Sequence, residues 1–319
     1  MESMLQTAID AVDEASGVCR DIQAQLVTGD TLTKKDRSPV TLADFAAQAV
    51  ICRRLGARFP DISVVGEEDT GDLRKDENRG LLDKMAGFLS GWRREDILSA
   101  IESGTGSPGK SFFTLDPVDG TKGFLRGDQY AIALAMIREG RVVMGVLGCP
   151  NLELTGIPHR GVVAWATEGC GAWAQSLSGG EAIRLKVTET DPAAPVRFLQ
   201  SVESGHADHG RQARIMESFG DRYRSVGIDS QAKYLMLANG GAEVYLRLPS
   251  PRTPDYREKI WDHAAGSIIV AEAGGRVTDS KGKPLDFSAG SRLRNNRGVI
   301  GTNGRLHSAV LEQIEINPD

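Results

Sequence analysis

The chain has 319 residues, enough for one large core or two smaller packed domains. Charged residues at 25% and apolar residues at 40% are ordinary globular proportions, and a formal charge of −5 with no Lys/Arg block argues against general nucleic-acid binding while leaving nucleotide-sized ligands open. Four scattered cysteines (Cys19, Cys52, Cys149, Cys170) lack the spacing of zinc ligands, the N-terminus reads as neither signal nor transit peptide, and no apolar run reaches membrane-span length. A cytoplasmic protein with reduced, mostly buried thiols and no membrane partner is expected.

Apolar residues at Leu5, Ile9, Val12, Cys19, Ile22 and Leu26 keep helical spacing, and a second helix is expected from about Ala43 to Arg58, before Pro60. Ile62-Ser63-Val64-Val65 reads as a buried strand, followed by Gly66-Glu67-Glu68-Asp69 and a charged, mobile loop to residue 80. Helical stretches at about 81–90 and 94–103 precede a glycine-rich connector, and Phe112–Leu115 is a strand. Tyr130–Ile137 and Val142–Leu147 form a hairpin turning at Glu139-Gly140, and Gly161–Thr167 and Gly171–Ala174 another, turning near Gly169. Thr190–Pro195 is the linker candidate, dividing the chain into domains 1–190 and 191–319. Beyond it come a strand (Arg197–Val202), a helix (about Gly210–Phe219), a helix containing Ser230–Leu237, a strand (Glu243–Leu248) and a helix from about Trp261 to Ala273, ended by Gly274-Gly275. Helices mixed with hairpins indicate a layered α/β (α+β) fold rather than a purely parallel sheet.

Gly104-Thr105-Gly106-Ser107-Pro108-Gly109-Lys110-Ser111 matches the phosphate-loop pattern literally. In a phosphate loop a strand enters and a helix leaves, so that helix N–H groups face the anion. Here a helix enters and a strand leaves, so the nucleotide-triphosphatase reading is set aside in favour of a plain connector.

Carboxylates stand at four separated element ends: Asp44, Glu67-Glu68, Asp116 with Asp119, and Asp262. Each alone has an ordinary reading: a helix-start residue, a polar loop, a residue favouring a helix N-terminus. Together they imply more, because two like charges 4 Å apart repel by about 4 kcal/mol at an effective dielectric near 20, so converging carboxylates need cations or protons. Oxygen ligands without Cys or His favour Mg²⁺ over Zn²⁺. Spacing alone does not establish convergence.

The pieces Gly66-Glu67-Glu68, Asp116-Pro117-Val118-Asp119-Gly120-Thr121 and Trp261-Asp262-His263-Ala264-Ala265-Gly266, in that order, resemble the lithium-sensitive, magnesium-dependent phosphatases of the inositol monophosphatase superfamily. Ser38-Pro39-Val40-Thr41-Leu42-Ala43-Asp44 and Glu272-Ala273-Gly274-Gly275 fit the same family. The wording of Lys122-Gly123-Phe124-Leu125-Arg126-Gly127, Val202-Glu203-Ser204-Gly205-His206, Asp229-Ser230-Gln231-Ala232-Lys233-Tyr234 and Tyr245-Leu246-Arg247-Leu248-Pro249 is similar to the 3′(2′),5′-bisphosphate nucleotidases. The resemblance implies a layered α-β-α-β-α sandwich and two or three Mg²⁺ ions. It implies that Glu67, Asp116, Asp119, Asp262 and the Val118 carbonyl are metal ligands, with Glu68 behind them or holding a third cation. Asp44 and Thr121 would activate water, Gly120 and Thr121 would touch the scissile phosphate, and His206, Ser230, Lys233 and Arg247 would hold the rest of a bisphosphate nucleotide. Ala207-Asp208 departs from the serines common there. The implied activity is removal of the 3′-phosphate of adenosine 3′,5′-bisphosphate, by a monomer acting on a small molecule. The alternatives are a phosphatase of the same superfamily acting on inositol polyphosphates, inositol monophosphate or histidinol phosphate, and a non-catalytic sensor of the nucleotide.

Overall fold

The computed structural model describes residues 1–26, 38–71, 73–75, 79–189, 194–202, 209–249, 253 and 255–318. Two long helices open the chain, α1 (Glu2–Leu26) and α2 (Ser38–Arg58), and pack along one another. The second begins five residues before the sequence pattern suggests, because Pro39 after Ser38 suits the first turn of a helix, where its missing N–H costs nothing. From Leu42 to Cys52 it is buried almost all round apart from Asp44, as befits an apolar helix inside a layer.

Seven strands make the first sheet, in the order of the chain: β1 (Ser63–Gly66), β2 (Ser111–Asp119), β3 (Ala131–Arg138), β4 (Arg141–Cys149), β5 (Val162–Thr167), β6 (Ala172–Ser176) and β7 (Ile183–Arg184). Only β1–β2 is parallel; the others pair antiparallel. Between β1 and β2 lie α3 (Arg79–Phe88) and α4 (Arg94–Glu102), and α5 (Thr121–Arg126) follows β2. The β3–β4 turn places Glu139 at φ 49° and Gly140 at φ 75°, the twist that a two-residue hairpin requires.

The second sheet, ordered β11-β12-β10-β8-β9, contains β8 (Val196–Gln200), β9 (Tyr223–Gly227), β10 (Val244–Arg247), β11 (Arg276–Thr278) and β12 (Val299–Thr302). Its helices are α6 (His209–Glu217), α7 (Ala232–Ala238), α8 (Ala264–Glu272) and α9 (His307–Ile316).

Strand alternation separates three cores. Phe113 and Leu115 of β2 face α1 and α2, whereas Phe112 faces α7 and α8. Leu199 and Tyr245 of the second sheet close that middle core from the far side, while Phe198, Val244 and Leu246 face α6 and α9 in the third. The result is five layers, α-β-α-β-α. Gly145 of β4 lets α8 approach: a Cβ there would lie 2.7 Å from Ile268 Cγ2.

The glycine-lysine connector has a structural use. The Gly66 N–H donates to the Gly104 carbonyl and the Gly106 N–H to that of Val64, and a Cβ on Gly106 would lie 2.8 Å from the Val64 oxygen. These glycines let one backbone lie directly beside β1. The stretch expected as a mobile loop is anchored where it is described: Leu73 is buried, and Thr70 and Arg74 both hydrogen-bond Glu102. No described helix is long and apolar enough to cross a membrane.

Candidate active site

Parallel pairing of β1 with β2 sets Gly66 opposite Leu115, so Glu67, just past β1, stands beside Asp116 of β2. Glu67 N–H donates to the Leu115 carbonyl at 3.2 Å, fixing that junction. Asp116 pairs with Ala133 and Asp119 with Ala131, so three steps along β2 match two along β3. In a regular strand residues three apart point to opposite faces; the extra residue, at Pro117-Val118, returns Asp119 to the same cleft as Asp116. Pro117 has no N–H to lose to this bulge.

Gly120 then turns the chain at φ 93°, where a Cβ would lie 2.9 Å from Ser230 Cβ. That close approach brings the loop before α7 against the central motif, and the Gln231 N–H donates to Asp119 Oδ2 at 2.6 Å. The Gln231 side chain reaches on to the third segment. Its amide donates to the Trp261 carbonyl at 2.8 Å and its oxygen accepts from the Gly266 N–H at 3.1 Å. Asp262 is thereby held facing the same cleft.

The cleft has a volume of about 390 Å³, and Glu67, Asp116, Val118, Asp119 and Asp262 all line it. Gly120, Thr121, Ser230, Lys233 and Arg247 line it too. Burial pushes Asp116 well above the carboxylate range, and Glu67, Asp119, Asp262 and Asp44 add to the shift. Burial and then Asp119 raise Asp262, with Arg247 opposing. Glu67 opens onto the cleft rather than away from it, and burial by the cleft walls followed by Asp119 raises it as well. For Asp119, burial raises the value while Lys233 and the Gln231 N–H hold it back. Asp116 Oδ1 is buried without a hydrogen-bond partner. Carboxylates that raise one another, one with an orphaned oxygen, form an all-oxygen donor set that fits a hard divalent cation.

Asp44 lies on α2, which packs against α5, the helix that starts at Thr121. Burial raises its carboxyl, with Glu68 and Glu67 adding to the effect. Glu68 sits behind Glu67, pushed up to about 7 by burial and by Glu67. Glu68 is held by Gln48, a residue without a sequence signal of its own. Gln48 is fully buried and clasps Glu68, donating to its carbonyl at 2.6 Å and accepting from its N–H at 3.1 Å. A Cβ on Gly66 would lie 2.5 Å from Gln48 Oε1, which explains the glycine of Gly66-Glu67-Glu68.

On the basic side Lys233 is 4% exposed, and its ammonium donates to the Ile228 carbonyl at 3.2 Å and to Ser201 Oγ at 3.3 Å. Burial lowers it to about 8, against the pull of Asp119. Neither Lys233 nor Arg247 is a solvated surface charge. Arg247 pairs with Glu258, Nη2 to Oε2 at 3.0 Å and Nε to Oε1 at 3.2 Å. Ser230 takes a left-handed φ of 62°, and its hydroxyl accepts from the Ala232 N–H at the start of α7. Arg126, at the end of the wording that follows the central motif, bridges to the buried Asp229 at 2.5 Å and ties α5 to the same loop. His206, with Glu203 to Asp208, lies outside the described residues. Gln48, Gln231 and Glu258 carry no sequence signal of their own: Gln231 stands inside a quoted motif, but its contacts and those of Gln48 join segments 20 or more residues apart.

Residues 1–318 match the model of the inositol monophosphatase family. The chain belongs to that family. Membership makes it a phosphate-ester hydrolase of a metal-dependent family acting on small molecules. The fold is shared with the IMPase of Thermotoga maritima, at a TM-score of 0.65 and 20% identity over 99% of this chain and 98% of that one. It is shared equally with CysQ from Bacteroides thetaiotaomicron, a bacterial member of the inositol monophosphatase family, at 0.66 and 22% over 96% and 98%. Sequence relatives are nearer. A rice (Oryza sativa) protein named 3′(2′),5′-bisphosphate nucleotidase is 41% identical, covering 98% of this chain and 93% of its own. Proteins named 3′(2′),5′-bisphosphate nucleotidase 2 in Candida albicans and 3′,5′-bisphosphate nucleotidase 2 in Arabidopsis thaliana are each 39% identical, over 97% and 98% of this chain and 96% of theirs.

Proposed function

We propose that the chain hydrolyses the 3′-phosphate of adenosine 3′,5′-bisphosphate to AMP and inorganic phosphate, and accepts the 2′-isomer and the sulfated analogue. The observation that carries this reading is the polarity of one cleft. Four carboxylates (Glu67, Asp116, Asp119 and Asp262) and two cations, the buried Lys233 and the partly buried Arg247, line the same cleft. A monophosphate ester with a neutral remainder puts no second anion beside these cations, of which Lys233 hydrogen-bonds neutral oxygens, whereas a bisphosphate does. The relatives named for bisphosphate nucleotides support the same substrate.

Glu67, Asp116, the Val118 carbonyl, Asp119 and Asp262 would hold two Mg²⁺ ions, with Glu68 available to a third. When bound, Mg²⁺ supplies neutralising charge for the phosphate oxygens and acidity for a water. The protein's own part is positioning and proton transfer. Thr121, at the first turn of α5, passes the proton of the attacking water to Asp44, whose raised proton affinity suits an acceptor. Gly120 and Thr121 would meet the scissile phosphate, and Ser230, Lys233, Arg247 and His206 the rest of the nucleotide. The division at residues 190 and 191 is proposed on the limits of the two sheets, although the middle core draws residues from both sides of it. A monomeric cytoplasmic state without nucleic-acid or membrane partners belongs to the same proposal; the buried free thiols at Cys19, Cys52 and Cys149 support its reducing compartment.

The test is a phosphate-release panel on the wild type, Lys233→Ala and Arg247→Ala. Each substitution is expected to cost roughly tenfold or more in kcat/KM on adenosine 3′,5′-bisphosphate, the scale of one lost charge-assisted hydrogen bond. The loss on inositol 1-phosphate should be several times smaller. Equal losses on both substrates would remove the nucleotide reading.

A further inference from the structure

Arg247 does not stand alone in the cleft; it is the last member of a chain of buried contacts that crosses three elements. The Tyr234 hydroxyl meets His263 Nδ1 at 2.7 Å, and His263 Nε2 meets Glu258 Oε2 at 3.4 Å. Glu258 then takes the Nε–Nη2 edge of the Arg247 guanidinium with both oxygens. One proton arrangement satisfies every group: the tyrosine O–H donates to Nδ1, and Nε2–H donates to the carboxylate. The start of the chain is fixed by packing, because the Tyr234 side chain lies against Gly266, where a Cβ would come within 2.2 Å of its ring. All four side chains are buried or nearly so.

The alternative partners of Arg247 are the metal-ligand carboxylates. Arg247 lines the same cleft as Asp119 and Asp262, so without Glu258 those carboxylates are the ion-pair partners left to the guanidinium there. Glu258, Asp262 and His263 also offer ligand atoms within 4.8 Å of one another, but the Glu258 oxygens are committed to Arg247. Burial works against the Glu258 charge, yet Arg247 and His263 together hold its carboxyl down at about 2.

We infer that Glu258 is a positioning residue for substrate selectivity: by engaging one edge of the Arg247 fork it keeps the guanidinium off the cation ligands and presents the other edge to the substrate's uncleaved phosphate. His263 and Tyr234 hold Glu258 in that orientation. The inference rests on the assignment of Arg247 to the second phosphate proposed above, and it adds a residue that makes no substrate contact.

The readout is the ratio of kcat/KM for adenosine 3′,5′-bisphosphate to that for adenosine 3′-monophosphate, at saturating Mg²⁺. In Glu258→Gln, which keeps shape and removes charge, the ratio is expected to fall about tenfold, as for loss of a charge-assisted pair. Glu258→Asp should retain more of the ratio than Glu258→Ala. The double variant Glu258→Gln/Arg247→Ala should be no worse than Arg247→Ala, because both changes remove one interaction. If Glu258→Ala does not fold, the Gln and Asp variants carry the comparison. An unchanged ratio in Glu258→Gln, or full additivity in the double variant, while Arg247→Ala alone lowers the ratio, overturns the role of Glu258 and leaves that of Arg247 standing. An unchanged ratio in Arg247→Ala overturns both.

Discussion

Asp116 carries the sharpest conflict in the molecule. It is 3% exposed, one of its oxygens has no partner, and Glu67, Asp119, Asp262 and Asp44 all act to raise it. Such a residue destabilises the cation-free fold, and the proposed cation would relieve the conflict. Asp116→Asn removes one of the converging charges and puts an amide donor near the remaining carboxylates. In chelator at pH 8 the variant is therefore expected to be more stable than wild type by about 1–2 kcal/mol, a fraction of the repulsion between close like charges. That raises its melting temperature by on the order of 2–4 °C per kcal/mol. Addition of Mg²⁺ should stabilise the wild type but not the variant, and phosphate release should be lost. A variant that keeps Mg²⁺-dependent turnover would remove Asp116 from the ligand set.

At the scale of elements, the C-terminal helix offers a prediction independent of the site. His307, the first residue of α9, is fully buried between Thr278 of β11 and Thr302 of β12, with Nε2 and Nδ1 each 2.9 Å from a hydroxyl. The Thr278 hydroxyl already donates to the Asp279 carbonyl, so it accepts from Nε2–H, and Thr302 donates to Nδ1. A neutral ring satisfies this arrangement, and burial followed by Arg276 lowers the imidazole to about 4. The unfolded histidine titrates near 6.5, so between about 4 and 6.5 the unfolded state binds more protons. The contribution is fully present above the unfolded value and is lost as pH falls toward the folded one. The expected loss is on the order of 2 kcal/mol. In urea titrations at pH 7 and pH 4.5, His307→Gln should lower stability at pH 7 and shrink the difference between the two. An undiminished difference would mean that other groups carry the acid sensitivity. This helix, like β9, β11 and β12, was not anticipated from the sequence. β9 is an edge strand with mostly exposed residues and no alternation, β11 has three residues, and β12 is four residues containing Gly301. The long helices, the hairpins and β2 were legible because their apolar pattern is local. The proposed ligand carboxylates are marked in the sequence only by the wording of their motifs. Their convergence depends on the β1–β2 register, a one-residue bulge and the clasp of Gln231, which join segments far apart in the chain.

Across the whole molecule, the candidate ligands join layers that pack on different cores. Glu67, Asp116 and Asp119 come from the first sheet, and Asp262 from the segment entering the middle helical layer. A cation bound there ties these layers together and contributes RT ln(1 + [Mg²⁺]/Kd) to global stability. The sign of its pH dependence follows from the raised carboxyls. Asp44, Glu67, Asp116, Asp119 and Asp262 are all held above their ordinary values, and Glu68 reaches about 7. Between about 4 and these raised values the folded state binds more protons than the unfolded state, so stability of the cation-free protein falls as pH rises. Cation binding requires the same groups deprotonated, so its stabilisation grows over that interval. Melting curves from pH 5 to pH 8, in chelator and in excess Mg²⁺, are expected to diverge as pH increases, by on the order of 2–4 °C for each kcal/mol of added binding. His307 contributes equally to both series and cancels in their difference. A Mg²⁺ shift of the same size at pH 5 and pH 8 would mean that the cation binds elsewhere, because binding at these raised carboxyls displaces their protons.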